Sequence, residues 1–333
     1  MMSERFSVLI AGTGQLGSRY LQGLAACLKP LRVFVLDPAD QALRVAAGRW
    51  ADAGGQSTEH VVSYHNTLDD VSTDLDIVIV ATTAQVRPRV VESVVEWAHV
   101  RMWILEKVLA QSDLGLKRIA GAIGRRSGAW VNTWARMTPW YRQVHSRSGG
   151  GPVRFGVVGG SWGLACNAIH FLDLMTWWTD ENLLAVDTSG LDAAWLPARR
   201  SGNLEVSGVI KASYSGGTVG LLSAGLPASR GIPAGSASPT CMWISGAGFH
   251  WDVTDPFSEL RGLAVGSDGS EICGRIELQS ERTAPLVDGL LATGTCGLTD
   301  LPTSIVEHRI LLRGLLDHWR IVVDEYADRV PIT

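Results

Sequence analysis

The chain has no excess of basic charge, no cysteine pairs and no long apolar run. Lys and Arg number 29 against 33 Asp and Glu, a formal charge of −4. A protein that tracks a phosphate backbone needs a strong basic field, so no nucleic-acid partner is expected. The five cysteines, Cys27, Cys166, Cys241, Cys273 and Cys296, are an odd, widely spaced set without a C-x-x-C. This spacing excludes a disulfide framework and a structural zinc site, and points to a reducing compartment. No stretch reaches the ~18 apolar residues of a membrane span, and the apolar run before the first glycines, about six residues, is short for a signal peptide. A cytoplasmic location without a membrane partner is expected. With 46% hydrophobic and 19% charged residues over 333 positions, the chain is globular and long enough for about two domains.

What is present has two textures. Phe6–Ala11, Leu31–Leu36, Val61–Tyr64, Asp76–Ala81 and Arg101–Leu105 read as short strands, the most apolar of them as if buried on both faces. Between them, Gln15–Leu28, Pro88–Val100 and Asp113–Arg125 carry apolar residues at helical spacing, Leu16, Tyr20, Leu21, Leu24 and Leu28 in the first. Strand–helix alternation predicts an α/β, doubly wound parallel sheet. After Trp130 the runs read as antiparallel strands: Val153–Gly159, Leu204–Tyr214, Thr218–Ala224, Thr240–Ser245, Phe249–Val253 and Cys273–Leu278. Gly216-Gly217 supplies a hairpin turn, Pro227–Pro239 reads as a loop, and two helices, Cys166–Trp178 and Ser304–Asp324, interrupt the series. The expected division is therefore 1–128, a Rossmann dinucleotide domain, and 129–333, an α+β domain with a large, mostly antiparallel open sheet.

Gly12-Thr13-Gly14-Gln15-Leu16-Gly17 is G-x-G-x-x-G. In a chain with 37 glycines that spacing alone is weak. Its context strengthens it, because it follows the first strand, opens a helix, and precedes Asp37 at the end of the second strand. Glycine permits a tight turn and close approach of a pyrophosphate to free helix N–H groups. The Asp37 carboxylate can accept hydrogen bonds from an adenosine ribose and would repel a 2′-phosphate, so NAD is favoured over NADP. A strand–helix turn that merely needs glycine is the competing reading.

Glu106-Lys107 directly follows the fifth strand, where ligands of open parallel sheets gather. An ammonium there can polarise a substrate hydroxyl, although a solvated Glu–Lys pair is also common. On the helix Cys166–Trp178, Cys166, His170 and Asp173 stand at i, i+4 and i+7 and share a face, with Asn167 beside it. A histidine with a carboxylate one turn on suits general acid–base work. A hydrogen-bonded core histidine competes with that reading. A metal trio lacks a fourth ligand, and no metal is expected.

The order GTGQLG, Asp37, DIVIVATT, LEK and helical H-x-x-D resembles the Gfo/Idh/MocA family of NAD(P)-dependent oxidoreductases over nearly the whole chain. The resemblance implies that Lys107 is the catalytic lysine of an E-K-P signature, here Glu106-Lys107-Val108, and that His170 is the general acid–base histidine of D-x-x-x-H-x-x-D, with Asp173 last. Cys166 stands where that motif begins with Asp. Valine replaces the proline, at which a cis peptide is often seen in the family and would here cost ~2.5–4 kcal/mol. Thr82 and Thr83 would lie along the dinucleotide beside the glycine loop, Asp37 and Glu106. Arg136, Trp162, Cys166 and Asn167 would face the substrate, with Trp140 a further aromatic candidate.

The implied reaction is hydride transfer between nicotinamide and a hydroxyl or keto carbon of a sugar, sugar acid, inositol or nucleotide-sugar, in a homodimer or homotetramer. W-G-L-A-C-N-x-I-H-F-L-D-L resembles members associated with surface-polysaccharide synthesis. Two other classes fit the same motifs: a non-catalytic NAD(H)-binding sensor or scaffold, and a lyase or hydrolase retaining tightly bound NAD.

Overall fold

The computed structural model describes residues 5–124, 127–225 and 240–333. Along the chain run β1 (Phe6–Ala11), α1 (Gly17–Leu24), β2 (Leu31–Leu36), α2 (Asp40–Asp52), β3 (Val61–His65), β4 (Asp74–Val80), α3 (Arg87–Trp97), β5 (His99–Leu105), α4 (Asp113–Ile123) and β6 (Gly128–Val131). There follow α5 (Pro139–Ser146), β7 (Arg154–Val158), α6 (Leu164–Thr179), β8 (Leu183–Pro197), β9 (Leu204–Tyr214), β10 (Val219–Ala224), β11 (Cys241–Gly246), β12 (Phe249–Thr254), β13 (Gly262–Gly266), β14 (Glu271–Gly274), α7 (Gln279–Thr293), β15 (Thr299–Asp300) and α8 (Leu301–Val322). No helix among the described residues is long and apolar enough to cross a membrane.

Chain contacts divide the protein into two units. The first comprises the chain up to Ala110, Leu114–Asn132 and Glu277–Pro302; the second comprises Gln111–Asp113, Thr133–Ile276 and Thr303–Thr333. The return of 277–302 to the first unit has no counterpart in the sequence-based division at 128. Its physical basis is the packing of α7 on α1. A Cβ on Gly23 would lie 2.4 Å from the Ser280 carbonyl oxygen and 2.6 Å from Thr283 Cβ, so the two helices meet backbone to backbone. The short β15 then pairs antiparallel with β6 through Thr299 and Asp300.

The first unit is a seven-stranded sheet of order β15-β6-β5-β4-β1-β2-β3, parallel from β1 to β6. Val8–Ile10, Ile77–Val80 and Met102–Leu105 are buried. Strands covered on both faces read as unbroken apolar runs, which is why these were legible. Strand order reverses between β1 and β4, so the crevice for a ligand lies beyond their carboxyl ends. The backbone ladder runs one residue past these ends: Gly12 N–H donates to the Leu36 carbonyl (2.8 Å), Ala81 N–H to Ala11 (2.8 Å), and Glu106 N–H to Val80 (3.1 Å). The loops that start there are therefore anchored at their first residue. The expected helix 15–28 is shorter, Gly17–Leu24, and the expected helix 88–100 stops at Trp97 because β5 begins at His99. The helix expected over 113–125 ends at Ile123, and Arg125 lies outside the described residues.

The second unit carries an eight-stranded sheet of order β14-β13-β12-β11-β7-β10-β9-β8. Among the described residues of this sheet, β7 and β10 pair in parallel and the other neighbours are antiparallel. Alternate residues, such as Leu222 and Ala224 on β10 and Met242 and Ile244 on β11, are buried, as expected of a sheet covered on one face. The β9–β10 hairpin closes with Tyr214 N–H on the Thr218 carbonyl at 3.0 Å, and Gly217 takes φ +104. The sequence reading has no counterpart for α5, β8, β13 or α7, and the expected strand 273–278 is displaced to 271–274. The expected loop Pro227–Pro239 lies outside the described residues.

Candidate active site

In the first unit, the glycine loop bridges β1 and α1. Gly12 takes φ +89 and lies under Thr82, whose Cγ2 would be 2.8 Å from an added Cβ. A Cβ on Gly17 would lie 1.8 Å from the Gly12 carbonyl oxygen, so only glycine closes this turn. Gly14 differs, because a Cβ there would meet nothing within 4 Å. The turn thus leaves an open cradle over Gly14 at the start of a helix, the form a pyrophosphate needs. Asp37 frames it from the end of β2: one carboxylate oxygen accepts the Thr13 N–H at 2.7 Å, the other the Ala39 N–H at 2.9 Å. Arg49 on α2, which sequence reasoning missed, donates to the Gln15 carbonyl (3.0 Å), to the Gln15 side chain (3.0 Å) and to the Ser18 hydroxyl. Leu16 precedes α1 as its cap residue. The hydroxyls of Thr13 and Thr82 are buried with no hydrogen-bond partner among the described residues. These features fit a dinucleotide.

Thr82 and Thr83 follow β4, and Glu106-Lys107 follow β5, at the same sheet edge. Arg87 links these two loops. It is 1% exposed, and its guanidinium donates to the carbonyls of Thr82, Val108 and Leu109, the last at 3.1 Å. Glu106 turns inward. Its Oε1 accepts from the Tyr20 hydroxyl at 2.5 Å and from Asn132 Nδ2 at 2.7 Å, and Asn132 also donates to Gln279 at 2.9 Å. Burial, then the adjacent Glu106 charge, push the Tyr20 hydroxyl well above the usual tyrosine range. Glu106 is thereby tied into the core between α1, β6 and α7, while Lys107 beside it is half-buried. The Lys107–Val108 peptide is cis.

The second unit holds a cavity of about 450 Å³ lined by Trp134, Gly160, Ser161, Trp162, Asn167, His170, Thr240 and Phe257. Three aromatic rings give it flat apolar walls: Trp134 and Phe257 have centroids 6.3 Å apart, Trp162 and Phe257 5.9 Å. His170 reaches it from the middle of α6, and the Trp134 ring lies 4.9 Å from the imidazole. Trp162 is fixed by its indole N–H on the Ser223 carbonyl at 3.0 Å, and Asn167 donates to the Trp162 carbonyl at 2.6 Å.

The first turn of α6 has no cap from its own chain segment; Glu205 on β9 supplies one. Its two oxygens accept the N–H groups of Ala165 (2.9 Å) and Cys166 (3.0 Å). A carboxylate at a helix N-terminus satisfies orphan donors and complements the dipole. Cys166, which by the resemblance would replace an Asp, therefore has an acid at its backbone N–H, brought from β9. Gly163, at φ +79, makes room for it, since a Cβ would lie 3.0 Å from both Glu205 Oε1 and Asn167 Nδ2.

Asp173 is fully buried, and Arg136 Nη1 lies 3.4 Å from its Oδ1. Arg136 thus serves Asp173, while Trp162, Asn167 and His170 line the cavity. Trp140 is elsewhere: it is buried, stacked on Tyr141 at 5.4 Å, and donates to the Ile272 carbonyl at 3.1 Å. Its ring covers Gly262 and Gly274 as core packing. Sequence reasoning missed Trp134 and Phe257 as walls and Glu205 as cap. Trp134 was adjacent to Arg136 in the segment singled out, whereas Phe257 and Glu205 carried no local signal.

No family model and no curated protein matches the sequence. Solved structures do match along their full length. UDP-N-acetylglucosamine 3-dehydrogenase GnnA from Acidithiobacillus ferrooxidans is 16% identical with a TM-score of 0.67, covering 97% of this chain and 99% of that one. Scyllo-inositol dehydrogenase from Lactobacillus casei, with bound cofactor NAD(H) and scyllo-inositol, is 15% identical with a TM-score of 0.64, covering 95% and 97%. A super-repressor mutant of Gal80p from Saccharomyces cerevisiae is 12% identical with a TM-score of 0.69, covering 95% and 96%. At these identities the likeness is one of fold, and it is the fold that the Gfo/Idh/MocA resemblance implies.

Proposed function

We propose that the chain is an NAD-dependent oxidoreductase acting on the hydroxyl or keto carbon of a sugar, sugar acid, inositol or nucleotide-sugar. The observation that carries this reading is the glycine turn, with its open cradle over Gly14 and Asp37 at its rim. The Gly12–Gly17 backbone and the start of α1 would hold the pyrophosphate of NAD, Asp37 its ribose, and Thr82 and Thr83 would lie along the dinucleotide. NAD, when bound, supplies the hydride chemistry. Lys107 hydrogen-bonds the reacting oxygen and stabilises its alkoxide character. His170 accepts or returns the hydroxyl proton in a cavity whose aromatic walls suit the apolar face of a polyol ring. Glu106 positions Lys107 from the core, and Arg136 holds Asp173 in place near His170.

A nucleotide-sugar substrate, and with it a place in surface-polysaccharide synthesis, is the narrower form of this proposal. The likeness to a UDP-N-acetylglucosamine 3-dehydrogenase supports it. The reading extends to a homodimer or homotetramer in the cytoplasm; exposed Val219 and half-buried Leu221 and Trp243 on one sheet face support the oligomer. A non-catalytic NAD(H) sensor is the second reading, favoured by the shared fold of the Gal80p super-repressor mutant. Calorimetric titration tests the cofactor assignment. NAD(H) should bind far more tightly than NADP(H), and Asp37→Ser should narrow the gap. Equal affinities in the unmodified protein would sink the assignment.

A further inference from the structure

Glu307, on α8, is a buried acid to which the proposed reaction assigns no task. It is 2% exposed, and Asp173 is 0% exposed. With both acids ionised, neither oxygen of Glu307 has a hydrogen-bond donor of good geometry among the described residues. The nearby Thr176 hydroxyl donates instead to the Leu172 carbonyl at 3.3 Å. Of the two buried carboxyls, Asp173 has the Arg136 guanidinium at 3.4 Å, and both the Asp173 and Arg136 charges act on Glu307. An isolated buried anion without donors is too costly to persist; it takes up a proton and becomes a donor itself.

We propose that Glu307 carries a proton at neutral pH and donates it to Asp173, so that the pair holds one negative charge against Arg136 and fixes Asp173 one turn from His170. Glu307 is then a positioning residue: its O–H···O bond orients Asp173, which shares a helical face with His170. The catalytic meaning of this rests on the reading given above; the location of the proton does not.

The surroundings agree. Burial first, then the Asp173 charge, push the Glu307 carboxyl well above the usual carboxylate range, with Thr176 and Arg136 offsetting less. From β9, Tyr214 contributes no charge. Its hydroxyl donates to the Leu172 carbonyl at 3.0 Å and is held far above its ordinary range by burial, then by Glu307, Asp173 and Glu181. On α8 itself, the next residue, His308, has its Nδ1 on the Ser304 carbonyl at 2.8 Å. Arg136, from the turn before α5, lies 3.4 Å from Asp173, and His170 stands one turn before Asp173 on α6.

Infrared spectroscopy of the full-length protein at pH 7 locates the proton. A carboxylic-acid C=O band that shifts in D₂O should be present in the wild type and missing in Glu307→Gln. If no such band is lost, the carboxyl is ionised and the proposal is overturned. The kcat/KM profile supplies the second arm. Glu307→Leu should lower kcat/KM about tenfold, the effect of roughly one lost charge-assisted hydrogen bond. Glu307→Gln, which keeps an N–H donor, should recover most of that loss. It should also lack the alkaline decline expected of the wild type as Glu307 loses its proton. Wild-type kcat/KM with an unchanged pH profile in Glu307→Leu would also overturn the proposal. A Glu307-dependent infrared band in a protein that turns over no sugar would uphold the proton's location and refute the oxidoreductase reading instead.

Discussion

Gly14→Ala separates the needs of the cofactor from those of the fold. An added Cβ meets no protein atom within 4 Å, and Gly14 is outside the left-handed region. Alanine should therefore leave folding stability unchanged or raise it by ~0.4–1 kcal/mol through the unfolded chain. The same methyl group occupies the open cradle. Displacing a pyrophosphate from one or two backbone N–H groups forfeits charge-assisted bonds of about 1.5–3 kcal/mol each. At 1.4 kcal/mol per tenfold, the affinity for NAD should fall by at least about 10²-fold when two are lost. Gly17→Ala is the control. Its Cβ would lie 1.8 Å from the Gly12 carbonyl oxygen and 2.9 Å from the Gly12 carbonyl carbon, both backbone. It should lose stability by ~1–3 kcal/mol, as overpacked sites do, together with binding. Thermal melting and calorimetric NAD titration of the two variants give the comparison. A Gly14→Ala protein with wild-type stability and wild-type NAD affinity would show that the glycines serve only the turn.

Four further outcomes follow from named contacts. Lys107→Ala should lower kcat by ~10²–10⁴ with little change in NAD affinity, and unimpaired turnover in steady-state kinetics would make Lys107 a solvated strand end. His170→Ala should cost a similar factor in kcat while the NAD titration stays as in the wild type; full activity would make His170 a core residue. Tyr20→Phe removes the 2.5 Å bond to Glu106 and should destabilise the protein by ~1–3 kcal/mol in denaturant melts, an unchanged midpoint arguing against this network. Because the folded Glu307 carboxyl is raised above its unfolded value of ~4.3, wild-type stability should fall as pH climbs from there toward the folded value. Glu307→Gln should lack that slope, and parallel curves for the two proteins between pH 4 and 8 would contradict it.

How much was legible depended on how local the cause was. Strands β1, β2, β4 and β5 could be read because burial on both faces writes an apolar run into adjacent residues, Val8–Ala11, Val33–Leu36, Ile77–Val80 and Met102–Leu105. The glycine turn could be read for the same reason, its constraint lying within six residues. β8 escaped because LLAVDTSGLDAAWLP is an edge strand with interrupted register and mostly exposed side chains. α7 escaped because Pro285 sits inside it, a residue that ordinarily ends a helix. α2 was the more readable omission: Leu43, Ala46 and Trp50 do recur at helical spacing. At the site, His170 and Asp173 were visible as a helical pattern. The Glu205 cap, the Glu307 partner and the Phe257 wall arrive from distant segments, and no local pattern encodes such meetings. Glu106 shows the same divide, since its place after β5 was readable and its inward turn depends on Tyr20, Asn132 and α7.

The oxidoreductase reading is tested most directly by turnover. Purified protein with NAD⁺ and a panel of sugars, sugar acids, inositols and nucleotide-sugars should produce a substrate-dependent rise in absorbance at about 340 nm, the signature of the reduced nicotinamide. That rise should be lost in Lys107→Ala. Tight NAD binding with no change in absorbance for any member of the panel, in either direction of the reaction, would contradict it.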